Sequence, residues 1–169
     1  VFTTMMVPER LGTAAMTIGP ARSALDVATH YTSKRRAFGQ VINRFQGVSF
    51  QVAEAAMLLD ASRAMVHTTA CAADAPVETD RLRRLVSETK KFVTESCQKV
   101  VHNSMQVCGG IGYTNVLPIE RIHRDLRLDL LVVRIALQLG DAFLQQIEIE
   151  VHADRREGLA RLNGQVNAL

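Results

Sequence analysis

Tryptophan is missing from this chain and aromatic residues make up only 5% of it, too few of the bulky β-prone side chains on which a sheet sandwich is built. Long uncharged runs are missing as well. No stretch approaches the ~18 apolar residues that a membrane span needs, so none is expected. Strong charge of one sign is also lacking, with 20 Lys and Arg against 17 Asp and Glu. Basic residues mostly alternate with carboxylates, as in Asp80-Arg81-Leu82-Arg83-Arg84 and Glu88-Thr89-Lys90-Lys91. Such faces read as solvated helix surface rather than a nucleic-acid patch. The three cysteines, Cys71, Cys97 and Cys108, form no CxxC pair and no disulfide framework. That usage suits a reducing compartment, the cytoplasm or a mitochondrial matrix, and Cys97 and Cys108 read as small core residues. His30, His67, His102, His123 and His152 show no metal-ligand spacing, and no metal site is expected. The chain opens on Val1-Phe2-Thr3-Thr4, without Met and without a basic leader segment, and reads as a piece of something longer.

What is present is helix. At 169 residues with 47% hydrophobic content, the chain has the size of one domain with a sizeable core. A first helix is predicted to start at Pro8-Glu9-Arg10, where Pro suits the first helical position and Glu the positive end of the dipole. Leu11, Ala14, Ile18, Leu25 and Ala28 hold one face, Gly19-Pro20 predicts a bend, and Gly39 marks a turn. A second helix is expected after Asn43 on Val48, Val52, Ala55, Leu59 and Val66, ending at Asp74-Ala75-Pro76. A third runs from about Val77 to Val107 on Leu82, Leu85, Val86, Phe92, Val93, Val100 and Val107. Past a short Pro118–His123 segment, a fourth is expected from about Leu126 to Arg155, with a weakly patterned tail from Gly158. Four long helices with short joins predict an all-α fold, an antiparallel up-down four-helix bundle.

The sharpest interruption is Gln106-Val107-Cys108-Gly109-Gly110-Ile111-Gly112-Tyr113. Three glycines in four positions allow a left-handed helix cap, and they equally allow the backbone to approach a ligand closely. The spacing is not G-x-G-x-x-G and no strand precedes it, which argues against a Rossmann phosphate loop.

Arg35-Arg36-Ala37-Phe38-Gly39-Gln40, Phe45-Gln46, the glycine stretch, Pro118-Ile119-Glu120-Arg121 and Arg124-Asp125 follow one another in that order. Together they resemble the C-terminal helical domain of the acyl-CoA dehydrogenase family, from Pro8 to about Glu150. Full-length members add an N-terminal helical domain and a middle β-domain, so the resemblance implies that residues 1–169 are one domain of a longer protein. It implies an FAD cofactor at a subunit interface, an acyl-CoA substrate, a dimer or tetramer, and an electron-transfer acceptor. Arg35 and Phe38 match the family's contacts to the diphosphate and adenosine part of a neighbour's FAD. Gln46, Gln106, Gly109 and Gly110 match its adenosine-side contacts. An Arg fork and a glycine turn are chemically suited to a diphosphate.

Family members abstract the α-proton of an acyl-CoA with a carboxylate, while the flavin takes the β-hydrogen as hydride. Most carry that Glu in a Glu-Gly-Thr segment after the Arg-Asp motif, where this chain has Val133-Arg134-Ile135. A minority, including isovaleryl-CoA and long-chain dehydrogenases, place it at the start of this domain's first long helix. Here Glu9-Arg10 stands at that place. The resemblance therefore implies Glu9 as general base, with Arg10 ordering the site or a phosphate of CoA; Glu9 is also a residue that dipole effects alone favour in a first turn. Glu9 is expected to serve a pocket near the groove framed by the Arg35 and Gly110 bends. Two other readings stay open: a related flavin monooxygenase or oxidase on a non-CoA substrate, and a non-catalytic helical subunit of a heteromeric dehydrogenase.

Overall fold

The computed structural model describes the backbone of residues 2–138 and the side chains of residues 6–128. Residues Val1–Val132 pack as one compact unit and Val133–Leu169 form another. In the first unit, helix α1 spans Phe2–Lys34, α2 Gln46–Asp74, α3 Thr79–Cys108 and α4 Gly110–Tyr113, and α5, Ile119–Gln138, begins there. The all-α expectation agrees with this architecture.

Interhelical pairs give the helix directions. Arg10 on α1 reaches Ser87 on α3, and further along Thr17 bonds Cys97, so α1 and α3 run parallel. Thr69 meets Thr89 while Glu54 meets Asn103, so α2 runs antiparallel to α3. The order is up, down, up, and the opening turns of α5 add Ile119 and Leu126 to the same core.

That core is built from small and branched side chains. Ala14, Ala21, Ala24 and Ala28 are fully buried on α1, so its backbone lies close to Val93, Val100 and Val101 of α3. Three polar residues at core positions bond within their own helices: Ser62, Thr94 and Ser104 donate to the carbonyls of Leu58, Lys90 and Val100, whereas the buried Gln98 side-chain amide has no partner among the described residues. Phe92, expected in the core, is exposed. Burial pushes the thiols of Cys97 and Cys108 up to about 11, so both are protonated core groups at neutral pH.

Three boundaries differ from expectation. Helix α1 begins at Phe2, and both Pro8 and Pro20 lie inside it. Each proline removes one rung of the hydrogen-bond ladder, but both are exposed, so water can satisfy the freed carbonyls. The Pro118–His123 segment is not separate from the fourth helix. Ile119, Ile122 and Leu126 step along one face, the Ile122 amide bonds the Pro118 carbonyl at 3.1 Å, and a single helix results. The expected extension to Arg155 and the tail lie outside the described residues beyond Gln138; Val133 to Ile135 are helical.

The third difference is a hairpin. Strands β1, Arg36–Ala37, and β2, Gln40–Val41, pair antiparallel with Arg36 opposite Val41. Phe38 and Gly39 form the two-residue turn with φ of 52° and 82°, as a type I′ turn requires.

The start of α5 carries a pH response. Burial, then the charges of Arg127 and His102, hold the His123 imidazole below the ordinary 6.5. The unfolded chain therefore binds more protons than the folded one in this range, and folding stability falls as pH drops below about 6.5. Denaturant titrations at pH 7.5 and 5.5 should show this loss, and His123→Gln should reduce it.

Candidate dinucleotide site

A groove of about 500 Å³ opens at the end of the bundle where α1 leaves, α2 begins and α3 stops. Arg35, Gly47, Gln51, Gln106, Gly109 and Gly110 line it, together with Tyr31 and the apolar Ile42, Val48 and Ile111. Three local features bring these residues together. The hairpin returns the chain so that the Arg35 carbonyl accepts from the Ile42 amide at 2.9 Å. A 3-10 turn at Ile42–Arg44 then feeds α2. At the far side, α3 ends because Gly109 adopts φ 66° and ψ −149°, a region open essentially to glycine alone.

The charge in the groove has one sign. Arg35 is exposed and its guanidinium makes no ion pair among the described residues, and no carboxylate lines the groove. Helix α2 starts at its rim without a side-chain cap, since Phe45 at the N-cap makes no side-chain hydrogen bond. The Val48 amide bonds the Phe45 carbonyl at 2.9 Å, which leaves the Gln46 and Gly47 amides and the positive end of the helix dipole for an anion. A Cβ added at Gly47, Gly109 or Gly110 would meet nothing within 4 Å, so the backbone is open to close approach. These residues fit a diphosphate.

Of the residues singled out from sequence, Arg35, Gln106, Gly109 and Gly110 come together here. Gln46 is exposed as the first residue of α2, beside Gly47, and does not itself line the groove. Phe38 stands at the hairpin tip with 94% of its surface exposed. Its ring meets that of Phe45 edge-to-face, at a centroid distance of 6.2 Å. This large apolar side chain sits on left-handed backbone at φ 52° and is presented to solvent.

Glu9 is not brought to this groove. It lies about 26 residues before Arg35, or about 39 Å along a helix that neither proline breaks. It is exposed, and its Oε1 accepts from the Thr13 hydroxyl at 3.3 Å. Glu9 and the groove, expected near one another, are separated by about 39 Å of one continuous helix. Arg10, beside it, is half-buried and donates from Nη1 to Ser87 Oγ at 2.8 Å, so this end of α1 is tied to α3.

Sequence reasoning missed Tyr31, Gly47, Val48 and Gln51. They carry no motif; they share the first two turns of α2 or the last turns of α1, and only the packing of α3 against both makes them walls of a groove.

A family model described as "Acyl-CoA dehydrogenase, C-terminal domain" matches residues 1–132. The probable acyl-CoA dehydrogenase FadE25 of Mycobacterium tuberculosis is 38% identical over 114 residues, 68% of this chain and 29% of that protein. The caffeyl-CoA reductase-Etf complex subunit CarC of Acetobacterium woodii is 34% identical over 119 residues, covering 70% and 31%. Butyryl-CoA dehydrogenase from Megasphaera elsdenii superposes with a TM-score of 0.73 at 26% identity, over 84% of this chain and 37% of that one. The chain thus spans about a third of the length of the relatives it matches. By motif order, helical fold and this match over most of its length, the chain belongs to the acyl-CoA dehydrogenase family, as the family's C-terminal helical domain.

Proposed function

We propose that this domain serves an FAD-dependent acyl-CoA dehydrogenase that removes the α- and β-hydrogens of an acyl-CoA thioester. The observation that carries the reading is the groove, where an Arg35 guanidinium without an ion pair, a helix start without a side-chain cap and three open glycine backbones converge, with no opposing carboxylate among the described residues. Arg35 would hold the diphosphate of FAD, with Gln106, Gly109 and Gly110 along the adenosine side and Gln46 beside them. Phe38 would lie against the adenosine. Bound FAD supplies the acceptor for the β-hydrogen.

Glu9 would take the α-proton as general base. Exposed on this domain, it is accessible to a thioester brought against α1 by the rest of the protein. Arg10, anchored on Ser87, would hold the start of α1 in place and meet the phosphates of CoA. The roughly 39 Å between Glu9 and Arg35 supports a division of labour: one copy's Glu9 serves its own flavin, and its Arg35 serves the flavin of a second copy. Self-association is then a requirement of the site. Electrons would leave to a separate protein acceptor, on the pattern of the Etf complex named for the Acetobacterium woodii relative.

The test is FAD affinity of the full-length protein by fluorescence titration. A hydrogen bond to a charged group contributes about 1.5–3 kcal/mol, so Arg35→Ala should weaken FAD roughly 10- to 100-fold. Arg35→Lys keeps the charge without the fork and should fall between. Unchanged affinity in both variants would remove the groove from the cofactor site.

A further inference from the structure

The groove is rich in donors and holds few acceptors whose direction is set. Arg35 and the free amides at the start of α2 can only donate, which suits a diphosphate and is indifferent to the base attached to it. Three groove side chains can also accept: Tyr31, Gln51 and Gln106. The Tyr31 hydroxyl turns about its C–O bond and donates or accepts as a base requires. Gln106 is exposed and its amide makes no hydrogen bond among the described residues, so it can present either end. Neither can tell an amino group from a carbonyl.

Gln51 is different. One turn after Gly47 on α2, it donates from Nε2 to the Gly47 carbonyl oxygen at 3.0 Å. A carbonyl only accepts, so the amide is held against flipping, and Oε1 is fixed on the side away from that bond. Oε1 accepts nothing among the described residues, and Nε2 keeps its second hydrogen. The amide therefore presents one acceptor and one donor in a set order. A Cβ at Gly47 would meet nothing within 4 Å, so the approach is open. Val48, three residues before Gln51 and on the same side of the helix, stands beside it as an apolar wall with Ile42 and Ile111.

Apolar walls with one oriented amide suit a flat purine. A Gln amide pairs with adenine through two bonds, Oε1 accepting from the N6 amino group and Nε2 donating to ring nitrogen N7. Hypoxanthine and guanine carry a carbonyl where adenine has the amino group, which would set oxygen against oxygen. One helical turn, about 5.4 Å, separates Gly47 from Gln51, so a ribose can join a diphosphate at the start of α2 to a base at Gln51.

We infer that Gln51 selects adenine as the base of the dinucleotide held in the groove. This rests on the proposed function in taking the groove as the site of the FAD diphosphate, and it assigns the choice of base to one side chain.

The test titrates the full-length apoprotein with FAD and with flavin hypoxanthine dinucleotide, which differs only at the base and keeps the same flavin fluorescence. The wild type should prefer FAD by about 5- to 150-fold, the discrimination a two-bond amide pair provides. Gln51→Met keeps the length and the helix propensity but not the amide, and it should bind the two dinucleotides alike, with unchanged helical content. Arg35→Ala should weaken both by one factor and leave the preference intact. A wild type that binds both equally would overturn the inference, and that measurement needs no variant to fold. A preference that survives Gln51→Met, or a loss of affinity in that variant that is equal for both ligands, would overturn it too, the second by making Gln51 a packing residue. If Arg35→Ala leaves FAD affinity unchanged, the groove is not the cofactor site, and the proposed function fails separately from the choice of base.

Discussion

Glu9→Gln should slow reduction of bound flavin by acyl-CoA roughly 10²- to 10⁴-fold, the range general-base catalysis contributes. The substitution preserves size and still accepts the Thr13 hydroxyl, which now meets Glu9 Oε1 at 3.3 Å, but it cannot take up a proton. Stopped-flow bleaching of the oxidised flavin in the full-length protein reads the step directly. FAD content should not change, because Glu9 stands about 39 Å along α1 from the groove. That split between rate and occupancy separates a lost base from a damaged fold. Undiminished bleaching would take the role away from Glu9.

Gly112→Ala should destabilise the domain by about 1–3 kcal/mol or more, the usual cost of forcing a methyl into a filled space. A Cβ there would come within 2.6 Å of the Met105 carbonyl oxygen and 3.0 Å of Cys108 Cβ. The first obstacle is backbone of the last turns of α3, so no side-chain rotation relieves it. Helix α4 must then lift from α3, taking with it Gly109 and Gly110 at the groove edge. Denaturant midpoints should fall with the slope unchanged, and FAD affinity should fall in parallel. Gly110→Ala is the contrast: its Cβ meets nothing within 4 Å, and the midpoint should barely move.

How much was legible depended on whether the signal was local. Helices α2 and α3 could be read from apolar steps of three and four, because each buries residues at that spacing over many turns. The start of α1 could not. Pro8 looks like a first-turn residue, but on an exposed face a helix tolerates one missing rung, and the residues before it continue the turn. Gly39 announced the turn, but the paired strands on either side were not read, because Phe-Gly is not the Asn-Gly or Asp-Gly pair that announces a type I′ hairpin; the structure holds Phe38 at φ 52° regardless. In the site, Arg35, Gln106, Gly109 and Gly110 were legible as motifs in fixed order. Gly47 and Gln51 were not, since nothing in a helix's first two turns reveals which neighbour will pack across them. The separation of Glu9 from Arg35 was readable in principle: it follows from counting residues along a helix once Pro20 is known not to end it.

The central claim is that one chain contributes Glu9 to its own flavin and Arg35 to its neighbour's. Mixing subunits tests it directly. Full-length Glu9→Gln and Arg35→Ala proteins, each assayed at an FAD concentration that Arg35→Ala binds poorly, should both be nearly inactive. Unfolded together and refolded as a mixture, half the dimers are hybrids, and each hybrid has one site with both Glu9 and Arg35 intact. Activity should return to about a quarter of the wild-type value for a two-fold symmetric pair mixed at random. A mixture no more active than its parents would show that the Glu9 and Arg35 of one chain serve the same site, and the account would be wrong.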